Sequence, residues 1–157
     1  MKRDRIKTMR IINGILLGIY LALLVWLLFF SERFGRAVDP AQPVRFNLIP
    51  TTEIRRFWTY RSTLGLKAMA LNLLGNILAF MPLGYLAPMT FPILRRASRI
   101  ILVGFLLSLL AESIQLGTRV GSFDVDDVML NTIGTWVGYL LFLLCSWIRR
   151  HYYGEKI

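Results

Sequence analysis

The fold is decided by FDVDDVMLNTIGTWVG, residues Phe123 to Gly138, in which three carboxylates precede a long apolar run. Asp124 can cap a helix start, and Asp127 lies where it can meet unpaired backbone N–H groups at the positive end of the helix dipole. The apolar run continues to Ile148, and about 20 such residues cross a bilayer. The stretch therefore predicts a membrane-spanning helix that begins at one membrane surface with acidic residues.

One face of this helix carries polar and small side chains. Asp127 and Asn131 are four residues apart, and Gly134 and Gly138 follow on nearly the same side. A GxxxG pair lets a neighbouring helix approach closely. We therefore expect this face to look into the protein.

Three further apolar runs precede it in a chain of 157 residues, of which 55% are hydrophobic. Ile11 to Phe30 is uncharged and reaches roughly 30 Å, which is too long for the apolar part of a signal peptide. Ala68 to Ala87 and Ile100 to Leu116 are the other two. The sequence predicts an all-α integral membrane protein, with four transmembrane helices in a bundle and a short interfacial helix in the first outer loop.

The basic residues predict the orientation of the bundle. Met1 to Arg10, Met89 to Arg99 and Arg149 to Ile157 together hold eleven Lys and Arg in 30 positions, whereas Ser31 to Lys67 and Thr118 to Asp127 hold eight in 47. The denser side is predicted to be cytoplasmic, with both termini there. This asymmetry also explains the net charge of +10, so we expect no nucleic-acid partner.

Polar residues inside the spans mark a candidate site. Asn72 and Asn76 share a face of the second span, and Pro82 is expected to bend or end that helix. The third span carries Glu112, roughly 7 Å below the outer surface. A buried carboxylate needs a partner or an aqueous pocket, and Arg119, Asn72 and Asn76 are the candidates.

The short loop after the third span joins the last two helices as an antiparallel pair. Glu112 and Asp127 should therefore converge towards the outer side. The predicted polar pocket comprises eight residues: Asn72, Asn76, Glu112, Gln115, Asp124, Asp126, Asp127 and Asn131.

Arginines beside aromatic residues in the outer loops form a second candidate set. Contacts with anionic headgroups are predicted for Arg55, Arg56, Arg61 and Arg119. The simpler interpretation is a loop pinned to the bilayer by its aromatic and basic residues.

Four phrases resemble the VanZ-like family of membrane proteins, in the same order. They are NLIP at Asn47–Pro50, NLLGNILAFMPLG at Asn72–Gly84, ESIQ at Glu112–Gln115 and FDVDDVMLNTIGTWVGY at Phe123–Tyr139. Thr51 stands where the family pattern often has an aromatic residue. The resemblance divides the chain into a basic tail, the first span and the start of the outer loop (1–45), a VanZ-like membrane domain (46–144), and the end of the last helix with a basic cytoplasmic tail (145–157).

This resemblance implies a protein of the bacterial cell membrane. The founding member of the family is associated with reduced susceptibility to the lipoglycopeptide teicoplanin. The resemblance supplies no mechanism and no established catalytic residue.

Two classes of function follow. The first is a non-enzymatic envelope protein whose outer-facing pocket binds membrane lipid, a lipid-linked molecule or a lipoglycopeptide. The alternative is an intramembrane enzyme acting on an envelope lipid or cell-wall precursor, with Glu112 and an aspartate as acid and base.

The aspartates could also hold Mg²⁺ or Mn²⁺, but capping of the helix explains them more simply. We expect no metal site and no cofactor. A small transporter is a third interpretation, and it would require a homo-oligomer. The sequence leaves the oligomeric state open.

Overall fold

The structure, a computed structural model, describes residues 2–30, 46–52, 55, 59, 66–118 and 122–154. Its long helices are α1 (Lys2–Phe30), α2 (Leu66–Thr90), α3 (Ala97–Thr118) and α4 (Val125–Tyr153). A 3₁₀ helix, Pro92–Arg95, joins α2 to α3. Two-residue strands, β1 (Phe46–Asn47) and β2 (Phe123–Asp124), pair in parallel.

All four helices are long and apolar enough to cross a membrane. The candidate spans are Lys7–Phe29, Leu73–Thr90, Ala97–Thr118 and Val125–Tyr152. The most extensive helix contact is between α2 and α4, while α3 packs against α4 and α1 against α2. The predicted all-α membrane fold with four spanning helices is confirmed.

Glycines allow α2 and α4 to approach at backbone distance. A Cβ atom on Gly138 would overlap the carbonyl oxygen of Met81 and lie 2.8 Å from its carbonyl carbon. Gly134 faces the backbone of Ile77 in the same way, and Gly84 of α2 faces α4. The inward face predicted for Gly134 and Gly138 is therefore confirmed.

Helix α2 continues through Pro82 and Pro88, so the expectation that it could end at Pro82 is wrong. Proline removes the N–H that would bond the carbonyl four residues earlier, which is that of Leu78. Next to it, the Tyr20 hydroxyl of α1 donates to the Ala79 carbonyl at 2.7 Å. This contact ties α1 to α2 beside the proline, but the carbonyl it bonds is not the one that Pro82 leaves without its helical donor.

The predicted interfacial helix lies mostly outside the described residues. Thr52, Arg55 and Thr59 have helical backbone, and the Arg55 N–H donates to the Thr51 carbonyl at 2.8 Å. The location of this segment at a membrane interface stays a prediction.

Candidate functional site

The first turn of α4 is built as its sequence predicts. Asp124 is the N-cap, and its side chain accepts a hydrogen bond from the Asp126 N–H at 2.8 Å. The cap leaves Asp126 and Asp127 in the first helical turn, where the helix dipole favours negative charge. This placement sets the directions in which the three carboxylates leave the helix.

Two of these carboxylates fasten the segment 46–52, which we call the strap, to the bundle. The Asn47 amide donates to Asp124 Oδ1 at 3.0 Å, and strand β1 pairs beside it with β2. The Thr51 N–H donates to Asp126 Oδ1 at 2.5 Å. Thr51 has a φ of 70°, an uncommon backbone conformation for a β-branched residue, and the buried Asp126 carboxylate holds it there.

The carboxylate of Glu112 reaches the same end of the bundle from α3. Its side chain is only 2% exposed, and Oε2 accepts a hydrogen bond from the Asp124 N–H at 3.2 Å. This backbone donor was not among the partners that the sequence suggested. Because Asp124 is the cap of α4, the bond ties the acidic residue of α3 directly to the start of α4.

The third aspartate turns towards α2. Asn76, which the sequence offered as a partner of Glu112, donates to Asp127 Oδ1 at 2.5 Å. Asp127 therefore joins α2 to α4 at the same level at which Glu112 joins α3 to α4.

Four carboxylates thus meet at one end of the bundle, which we call the acidic end: Glu112, Asp124, Asp126 and Asp127. The predicted convergence of Glu112 and Asp127 agrees with this geometry. Each carboxylate accepts a hydrogen bond from a donor elsewhere in the described structure. The acidic end therefore links α2, α3, α4 and the strap.

A second polar layer lies one helix turn further into the bundle. Asn131, 1% exposed, donates from Nδ2 to the buried Ser108 hydroxyl at 2.9 Å. The Thr135 hydroxyl, also buried, donates to the Asn131 carbonyl at 3.1 Å. Within the described residues the Asn131 Oδ1 atom has no hydrogen-bond partner. Polarity thus continues inward from the acidic end along the α3–α4 contact.

The remaining predicted residues lie elsewhere. Gln115 is buried and donates to the Leu28 carbonyl of α1 at 2.9 Å, so it ties α3 to α1. Arg55 is exposed. Arg56, Arg61, Arg119 and the side chain of Asn72 lie outside the described residues.

Sequence reasoning missed the strap as a partner of the carboxylates. Asn47 and Thr51 contribute donors from more than seventy residues away. Asn47 was the available signal, because an amide side chain in an otherwise apolar NLIP phrase needs a hydrogen-bond partner when it packs against the protein. The Thr51 contact is made by its backbone N–H and leaves no signal in the sequence. Sequence reasoning also did not assign Ser108 to the site, although it lies four residues before Glu112 and therefore on the same face of the third span.

The acidic end does not have the geometry of a metal site in the part of the chain that the structure describes. No three His, Cys, Asp or Glu side chains there gather closely enough to hold an ion. The carboxylates instead accept hydrogen bonds from backbone and amide donors. What the arrangement offers chemically is a set of strong acceptors at one end of a membrane bundle.

Comparisons with known proteins agree with the resemblance. Residues 17–146 match the model of the family described as VanZ/LLP1. The Protein VanZ of Enterococcus faecium is 28% identical over 138 residues, which make up 87% of this chain and 77% of that protein. No solved structure matches the chain.

Proposed function

This chain belongs to the VanZ/LLP1 family, and on that premise we propose that it is a multi-pass protein of the bacterial cell membrane that binds an envelope lipid or amphiphile. The binding site is an outer-facing polar pocket at the acidic end. Its occupancy lowers susceptibility to lipoglycopeptides such as teicoplanin. The observation that carries the proposal is the convergence of four carboxylates from two helices at one end of the bundle.

Hydrogen-bond acceptors at a membrane surface suit ligands that carry amines, amides or hydroxyl groups. Carboxylates bind such donors more strongly than neutral acceptors do, and the low dielectric near the bilayer strengthens the attraction. The apolar part of an amphiphile would lie against exposed helix faces, such as Met129 and Ile133 of α4. A lipid or lipoglycopeptide has both parts.

The opposite end of the bundle supports the outward orientation of the acidic end. It carries a concentration of basic side chains from α1, the 3₁₀ helix with its C-cap, α3 and α4: Arg10, Arg95, Arg96, Arg99 and Arg149. Burial lowers the pKa of Arg95, and the nearby charge of Arg10 lowers that pKa further. Crowded cations are typical of the cytoplasmic side of membrane proteins, so we assign both termini to the cytoplasm.

The proposal is tested in cells by comparing teicoplanin susceptibility and antibiotic binding at the cell surface. The strains carry no copy, the wild-type protein, Glu112→Gln, Asp127→Asn or the control Ser113→Ala. Ser113 is exposed on α3 and its hydroxyl bonds only the Leu109 carbonyl among the described contacts. We expect reduced susceptibility with wild type and the control, and loss of that effect in the two carboxylate variants.

Equal susceptibility and equal surface binding in every strain, with matched protein levels, would contradict the proposal. Membrane fractions must show that each variant is present at the wild-type amount. This control separates a lost binding group from a lost protein.

An intramembrane enzyme is the second candidate. Glu112 and Asp126 are both 2% exposed, and each accepts a hydrogen bond from a backbone N–H. Two buried carboxylates at one end of the bundle are the residue types that acid and base catalysis uses. Purified protein incubated with envelope lipid extracts would convert a lipid or precursor, and Glu112→Gln would abolish the conversion.

A further inference from the structure

The strap exposes large apolar side chains outside any helix. Phe46 is 60% exposed, Leu48 is 63% exposed and Ile49 is 72% exposed. Pro50, which follows them, is also exposed. Contiguous exposed apolar groups of this size usually mark a surface that something else covers.

The strap is not a loose loop, because it is fixed on both sides of these residues. Asn47 lies between Phe46 and Leu48 and donates inward to Asp124. Thr51 donates to Asp126, and the Thr52 hydroxyl closes the turn onto the Ile49 carbonyl at 2.6 Å. The Asn47 amide and the Thr51 N–H are thus bonded to the protein, while Leu48 and Ile49 between them, and Phe46 just before them, stay exposed.

The length of α4 gives the depth of the strap. Its candidate span, Val125–Tyr152, has 28 residues and is therefore about 42 Å long, compared with about 30 Å for the hydrocarbon core and 40–45 Å for the whole bilayer. Both ends of α4 must then lie in the headgroup layers. Trp147, 55% exposed, falls near the far interface, where tryptophan is enriched.

Strand β1 pairs with β2 immediately before Val125, so the strap lies at the same level. With the span centred in the bilayer, the backbone of the strap lies in the headgroup layer, about 6 Å outside the hydrocarbon core, so large apolar side chains directed towards the midplane reach the upper acyl chains. The lipid-facing surface of α4 continues directly below, through exposed Met129, Ile133 and Trp136. The strap extends a surface that the membrane already covers.

We propose that Phe46, Leu48 and Ile49 form an apolar wedge inserted into the leaflet at the acidic end, and that acyl chains of phospholipids are its occupant. The bonds of Asn47 and Thr51 to the aspartates couple the wedge to the carboxylates. The carboxylates are thereby kept at headgroup level, beside the lipid that the wedge contacts. The depth of the wedge in the bilayer does not depend on whether the acidic end binds an antibiotic.

Depth is measured with a fluorescent label on single cysteines. Cys145 is the only cysteine of the chain, and a Cys145→Ser background carries Leu48→Cys or Ile49→Cys, each labelled with an environment-sensitive nitrobenzoxadiazole probe. Leu140→Cys, on an exposed apolar position of α4, is the embedded reference. Ser122→Cys, exposed at the acidic end but outside the wedge, is the surface reference.

The labelled proteins are reconstituted in vesicles of phosphatidylethanolamine and phosphatidylglycerol, with and without lipids that carry a nitroxide near the top of the acyl chain. We expect blue-shifted emission at positions 48 and 49 and strong quenching by the nitroxide lipid. The label at position 122 should emit at a longer wavelength than the labels at positions 48 and 49, and aqueous iodide should be its main quencher.

Water-like emission at both wedge positions, with quenching by iodide and none by the nitroxide lipid, would overturn the proposal. A blue shift without lipid quenching, accompanied by disulfide crosslinking of Leu48→Cys between chains, would also overturn it by assigning the surface to a second copy. Because both positions are exposed, each label reports independently, and size-exclusion profiles verify that the labelled chains are folded.

Discussion

Replacing Gly138 by alanine should separate the two helices that form the centre of the bundle. The added Cβ would lie 2.8 Å from the Met81 carbonyl carbon and closer still to its oxygen, whereas ordinary contact begins at 3.4 Å. The obstacle is backbone, so no change of side-chain rotamer relieves it. The carbonyl carbon alone requires α2 to move away from α4 by about 0.6 Å, and the nearer carbonyl oxygen requires more. This movement loosens close-packed contacts along both helices.

The expected loss is large when compared with a matched glycine. A Cβ atom added to Gly18 of α1 would have no other atom within 4 Å among the described residues, so Gly18→Ala should stabilise its helix by up to about 1 kcal/mol. Overpacking typically costs about 1–3 kcal/mol, and a backbone obstacle belongs at the upper end of that range. We expect the two variants to differ in free energy of unfolding by about 3 kcal/mol.

The assay is thermal and denaturant unfolding of both variants in the same detergent, followed by size-exclusion chromatography of the folded fraction. Gly138→Ala should unfold earlier than wild type, and Gly18→Ala should match or exceed it. Equal stability of Gly138→Ala and Gly18→Ala would refute the backbone contact between α2 and α4.

Three further predictions concern the polar contacts. Asn76→Leu removes the donor to Asp127 and should lower the free energy of unfolding by about 1.5–3 kcal/mol, the usual range for a bond to a charged group. Denaturant titration measures this loss, and a loss below about 0.5 kcal/mol would contradict the contact. Asn47→Ala should speed hydrogen exchange in residues 46–52 by releasing Asp124, while exchange in α2 stays unchanged; equal rates in the strap would show that this bond does not hold it. Asn131→Leu should be less destabilising than Asn76→Leu in the same titration, because its Oδ1 atom has no described partner to lose, and the reverse order would be inconsistent with that geometry.

Much of the fold could be predicted because membrane spans leave strong local signals. Apolar runs near 20 residues located the four helices, and Asp124 marked the start of α4 by its position before such a run. The face of Gly134 and Gly138 followed from helical spacing. The convergence of Glu112 and Asp127 followed from one short loop, which leaves an antiparallel pair as the only arrangement.

The contacts of the strap could not be predicted in the same way. A two-residue strand has no periodicity, and its partner β2 lies more than seventy residues away. Glycine is the residue from which a positive φ is usually predicted, and the residue with a positive φ here is a threonine, Thr51. The continuation of α2 through Pro82 and Pro88 was not predictable either, because a proline in a membrane-spanning helix can bend the helix or end it, and the packing around it decides which.

In the candidate site, too, the residues could be predicted from local sequence, whereas their contacts with distant residues could not. The residue types were identified from polarity within apolar spans, because a carboxylate such as Glu112 stands out there. The hydrogen-bond partners of these residues were not identified, because helical geometry alone allows Asn76 to reach either Glu112 or Asp127. Only the rotation of α2 against α4, set by the glycine contacts, selects Asp127.

The most direct measurement of the central claim is equilibrium binding of fluorescent teicoplanin to the purified protein in phospholipid nanodiscs. Wild type and Ser113→Ala should bind saturably, and Glu112→Gln should bind at least about tenfold more weakly, as expected for loss of one charged acceptor worth about 1.4 kcal/mol. Equal affinity of Glu112→Gln and Ser113→Ala, or no saturable binding to wild type beyond that of empty nanodiscs, would contradict a binding role for the acidic end.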